Sequence, residues 1–138
     1  MNELKLLRNL IDHIDFPENV IKINGEIKGK GFFPGANGIT DESTEISNKK
    51  YMIIGQDQDN EKGFEYSVEK GSEEHTSTWR NLKELLEEVN ISEYDCFFTN
   101  FLLGLRKNSM RNVGKSPAIS NSKFFFFDFF LYAHESIA

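Results

Sequence analysis

One cysteine and three prolines stand among the 138 residues of this chain. A lone Cys96 excludes an internal disulfide, and its place in an apolar run points to a buried, inert thiol rather than a reactive one. His and Cys do not recur at metal-ligand spacing, and there is neither a Walker loop nor a dinucleotide fingerprint, so no metal and no cofactor is expected. Long apolar runs are missing too. The longest, Phe124 to Phe127 and then Phe129 to Ala133 after Asp128, falls far short of the ~20 residues a membrane span needs. Met1 to Leu10 mixes polar and apolar residues without a small-residue cleavage site, which speaks against a signal peptide. A soluble, cytoplasmic, single-domain protein with no membrane partner is the expectation.

Acidic side chains are absent from one long segment. Cys96 to Phe127 contains none, while Arg106, Lys107, Arg111, Lys115 and Lys123 give it five positive charges. The net charge is −6, and residues 1 to 95 hold 11 basic and 20 acidic side chains. A whole-molecule charge of this sign opposes a nucleic-acid partner, because phosphate contacts need Lys and Arg. A single basic stretch beside a site nevertheless permits local contact with DNA, and a solvated loop of accidental sign is the alternative.

Leu4, Leu7, Leu10, Ile11 and Ile14 fall at helical spacing before Pro17, which predicts an amphipathic helix over residues 3–14. Glu18 to Gly38 carries five glycines and Pro34 and reads as loop. Lys49 to Ile54 is continuously apolar from Tyr51 onward, as in a strand buried on both faces. Gly55 to Gly71 reads as a polar, turn-rich connection around Phe64 and Tyr66. A helix follows, capped by Thr76, Ser77 or Thr78, with Trp79, Leu82, Leu85, Leu86 and Val89 as its apolar face through Glu88. Tyr94 to Asn100 is the next strand, Phe101 to Ser122 a basic loop, and Lys123 to Ile137 a Phe-rich segment read as helix. Helices alternating with strands predict an α/β fold, a three-layer α/β/α arrangement around a central, mostly parallel sheet.

The candidate site lies where the two strands end. Gly55-Gln56-Asp57 follows one and Asn100 closes the other, and open α/β sheets bind ligands beyond the carboxyl ends of their strands. A carboxylate there can orient water and stabilise positive charge, while an amide offers a donor and an acceptor in one plane. An Asp after a strand can equally cap a helix, an Asn can satisfy a turn, and Asp59 replaces Asp57 if the turn is shifted.

Gly55-Gln56-Asp57, then Gly63-Phe-Glu-Tyr-Ser-Val68, the helix opening Trp79-Arg80-Asn81-Leu82, and Phe97-Phe98-Thr99-Asn100 with Gly104-Leu105-Arg106 together resemble the uracil-DNA glycosylase superfamily over about residues 32 to 132. The resemblance implies a uracil-DNA glycosylase-like fold and an N-glycosyl hydrolase that excises a flipped base from DNA. It implies Asp57 as the catalytic carboxylate, Gln56 and Asn100 as base-binding residues, and Tyr66 or Phe64 as the stacking aromatic. It places Arg106, Lys107, Arg111 and Lys115 beside the DNA. Base flipping, stacking and edge recognition are the demands such residues meet.

The chain departs from that family in several places. Gln58-Asp59-Asn60 stands where the family has Pro-Tyr-His, whose tyrosine crowds out thymine. The family's later strand and its His-Pro-Ser loop do not follow before Ala138, and His134 has the wrong neighbours to replace that histidine. An incomplete domain with impaired excision is therefore expected. The alternative is a non-catalytic nucleic-acid or protein binding module of the same fold.

Overall fold

The structure is a computed structural model that describes residues 2–40 and 45–107. Expectations for Arg111, Lys115, Lys123, His134 and the Phe-rich segment lie outside the described residues. Helices and short strands are interspersed, giving a mixed α/β chain.

Helix α1, Glu3–Asp12, starts where the Asn2 side chain accepts from Lys5 N–H. Leu4, Leu7 and Ile11 recur at helical spacing and bury against Val20, Phe33, Phe97, Leu102 and Leu103. Strand β1, Val20–Ile21, follows, and the glycine-rich stretch after it holds no other regular element apart from a parallel bridge from Phe33 to Thr99. Strand β2, Tyr51–Gly55, pairs in parallel with β3, Cys96–Asn100, in a register that sets Tyr51 beside Cys96 and Gly55 beside Asn100. The two strands therefore end side by side. Strand β4, Leu105–Arg106, runs antiparallel to β1.

Several expectations change. Residues 55–71 are not simply turns, because helix α2 occupies Glu61–Lys70. Its caps explain why: Asn60 accepts from Gly63 N–H at the start, and Gly71 takes the left-handed conformation at the end with φ 79°. Nor is β2 buried on both faces. Tyr51, Met52 and Ile54 are 44–50% exposed, and β3 is its one strand neighbour among the described residues. By contrast β3 is buried throughout, held between β2 and Phe33.

Helix α3, Ser77–Glu88, is capped by the Thr76 hydroxyl, which accepts from Trp79 N–H. Trp79 and Leu86 are buried and Leu82 packs beside them, whereas Leu85 and Val89 stay exposed. The inward stripe is thus 79, 82 and 86, and residues 85 and 89 turn off it by one position. Trp79, Phe32 and Phe98 form an aromatic cluster with ring centroids 5.0–5.7 Å apart.

Candidate functional site

A cavity of about 430 Å³ opens at the carboxyl ends of β2 and β3. That volume suits a small organic ligand. Gln56, Asp57 and Asn100 line it together, joined by Gly55, Phe32, Gln58, Asp59, Glu73 and Arg106. The parallel register accounts for the meeting, since the last residues of the two strands are neighbours.

Asp57 is held on both oxygens. Its Oδ1 accepts from Asp59 N–H at 3.0 Å, closing the turn that carries it. Its Oδ2 lies 3.0 Å from Arg106 Nε, in an ion pair whose N–H is not aimed along a hydrogen bond. The same guanidinium reaches Asp59 Oδ1 at 3.3 Å, and Arg106 N–H donates to the Asp59 carbonyl. Asp59 sits at φ 90°, a region that costs a non-glycine residue of order 1–3 kcal/mol. Arg106 thus straps the strained turn from Asp57 to Asn60 onto β4.

Behind the turn runs a buried chain of polar side chains. Phe32 N–H donates to Glu73 Oε2 at 3.2 Å, the Gln58 amide donates to Glu73 Oε1, and Asn100 Nδ2 donates to Gln58 Oε1 at 3.1 Å. Glu73, Gln58 and Asn100 are 3–7% exposed. Burial pushes the Glu73 carboxyl up to about 7, the Phe32 N–H opposes the rise, and the nearby Asp59 charge adds to it. Gly31 and Gly35 make the space: a Cβ on Gly35 would sit 2.6 Å from Gln58 Cδ, and one on Gly31 would sit 3.0 Å from Glu73 Cδ.

Other expected residues fall elsewhere. Phe64 is buried with Ile27, Ala36 and Leu105, away from the cavity wall. Tyr66 is half-exposed on α2, with its ring 5.0 Å from that of His75 and the Lys70 ammonium 5.4 Å from its centroid. Neither lines the cavity, because α2 turns those positions to its inner and outer sides. Among the described residues the aromatic in the wall is Phe32. Arg106, expected to meet DNA, has its guanidinium on Asp57 and Asp59, and Lys107 follows it half-buried.

Sequence reading missed Phe32, Gln58 and Glu73. Phe32 lies inside a glycine-rich stretch that reads as loop, and Glu73 is one of two adjacent acids in a polar segment. The glycines around Phe32 were the available sign of close backbone approach. Among the described residues no His, Cys, Asp and Glu group is placed to hold a metal ion, and no helix is long and apolar enough to cross a membrane.

No protein-family model matches the chain, and neither curated proteins nor solved structures give a match.

Proposed function

We propose that the cavity receives a nucleobase flipped out of DNA and that Asp57 promotes hydrolysis of its N-glycosidic bond, in the manner of a uracil-DNA glycosylase. The observation that carries this reading is the convergence of Asp57 and Asn100 in one cavity at two neighbouring parallel strand ends. On this reading Asn100 meets the hydrogen-bonding edge of the base and Phe32 supplies its apolar face. As the C1′–N bond breaks, its electrons pass to the base. Water adds to C1′, Asp57 stabilises the positive sugar and takes a proton from that water, and the base leaves protonated by solvent. The pair β2 and β3 then belongs to the central sheet of a three-layer α/β/α domain, and Lys107, Arg111 and Lys115 contact phosphates.

A second reading has its own support. Both Asp57 oxygens are engaged, one by Arg106, which favours a binding module that reads a base without cleaving it. An oligonucleotide containing uracil separates the two. Abasic product revealed by alkali with the parent chain, lost in Asp57→Asn while binding persists, supports the hydrolase. Binding without product supports the module, and failure of both overturns the base-binding cavity.

A further inference from the structure

The carboxyl–amide–amide chain under the cavity has a direction, and its direction decides what the cavity offers a ligand. Resting on the base-binding reading, we infer that Glu73 is a positioning residue that selects the edge of the bound ring, by fixing through Gln58 which end of the Asn100 amide faces the ligand. The ligand class is a planar heterocycle read through one donor or one acceptor.

Every link follows from hydrogen-bond capacity. An ionised carboxylate only accepts, so the Gln58 NH₂ must face Glu73 and the Gln58 oxygen must face Asn100. Asn100 then turns its NH₂ to Gln58 and donates one N–H to it. Its oxygen lies against Gly55 of the cavity wall, where a Cβ would approach to 2.6 Å. In this state the site presents an acceptor and suits a lactam N–H, such as N3–H of uracil. Once Glu73 is protonated, Phe32 N–H still requires one oxygen as acceptor, which leaves the O–H to face Gln58. The Gln58 amide must then turn its oxygen to Glu73 and its NH₂ to the Asn100 oxygen. Asn100 turns in response, and its NH₂ faces the wall at Gly55. The site now presents a donor and suits a bare ring nitrogen, such as N3 of cytosine.

The exchange falls near neutrality, since burial and the Asp59 charge raise the Glu73 carboxyl to about 7. Among the described residues the charged groups around it are few. Asp57, Asp59 and Arg106 line the same cavity and are joined in one ion-pair cluster. Lys30, whose carbonyl accepts from Glu73 N–H, directs its ammonium to Glu74 and Glu93. His75 is hydrogen-bonded to Ser67. Of these, Asp59 is the one whose charge raises Glu73.

Substitution can lock the reversed direction. In Glu73→Gln the introduced carboxamide must keep its oxygen on Phe32 N–H, so its NH₂ is forced toward Gln58 and imitates the protonated acid. The test reads the amides directly, by nuclear Overhauser contact between the Asn100 side-chain NH₂ and Gly55 Hα in the full chain. The contact should be weak at about pH 8.5, strong at about pH 5.5, and strong at both in Glu73→Gln. A contact that ignores both pH and the substitution overturns the inference. In a second arm, 1-methyluracil and 1-methylcytosine are titrated into the same proteins. The preference for 1-methyluracil should fall about tenfold between the two pH values and be lost at both in Glu73→Gln, while an unmoved preference overturns the inference. If the amides switch and neither base binds, the switch stands and the base-binding reading fails.

Discussion

A carboxyl group buried to a few per cent exposure is the most consequential single residue of this chain. The carboxyl of Glu73 titrates near 7 in the folded state against an ordinary value of 4.5, so its charge works against folding. Below about pH 4.5 both states hold the proton and nothing is lost; as pH rises through about 7 the folded state gives up a proton it held more tightly than the unfolded chain. The cost at pH 8 is about 3 kcal/mol. Glu73→Gln should therefore leave stability near pH 4.5 little changed and raise it by about 3 kcal/mol at pH 8, measured by urea denaturation. No gain at pH 8 would mean that the carboxylate is compensated by partners beyond Gln58 and Phe32. The opposite behaviour is expected of Gln58→Leu. It leaves Asn100 Nδ2 and a Glu73 oxygen without their mutual partner, and should cost about 1–3 kcal/mol in the same assay.

At the scale of elements, the two cavity-bearing strands are placed by the packing of α3 and the strap of Arg106. Trp79→Ala removes the ring against which Phe32 and Phe98 pack, and should lower stability by about 3–5 kcal/mol. Arg106→Met breaks the partly buried pair with Asp57 and frees the strained Asp59 turn, and should cost about 3 kcal/mol in thermal or urea unfolding. A loss under 1 kcal/mol would show that Arg106 is not what holds the turn. Much of this layer was legible in advance. Apolar spacing gave α1 and α3, with Thr76 one of three candidate caps, and the apolar runs before Asp57 and Asn100 gave the parallel pair. Helix α2 was not read, because Asn60 and Gly71 bracket a segment whose apolar residues are too few to mark a face, and its caps carry the helix instead. The exposure of β2 could not be read either. Apolar strand residues announce burial only when neighbours cover both faces, and one sequence does not say where those neighbours are.

For the molecule as a whole, the acidic body and the acid-free stretch from Cys96 to Phe127 set how it would approach a polyanion. Replacing Lys107, Arg111 and Lys115 with Gln should weaken oligonucleotide binding and reduce its dependence on salt by roughly one unit of slope for each lost phosphate contact. Unchanged salt dependence would remove DNA as the partner. At this scale the site was half legible. Asp57, Gln56 and Asn100 could be placed together from the strand ends, but the wall opposite them comes from Phe32 and Glu73, joined to them by contacts 15 to 42 residues apart in sequence that no local pattern records.

The claim that Asp57 directs water to a sugar in this cavity is tested most directly by isotope. The chain, in excess over a uracil-containing oligonucleotide, is incubated in ¹⁸O-water, and the products are resolved by mass spectrometry. The expected result is free uracil together with an abasic strand carrying ¹⁸O at C1′, formed at a rate that falls about 10²–10³-fold in Asp57→Asn, the loss typical of removing one electrostatic stabiliser of a transition state. Intact oligonucleotide with the parent chain, or product formed equally fast by Asp57→Asn, would contradict it.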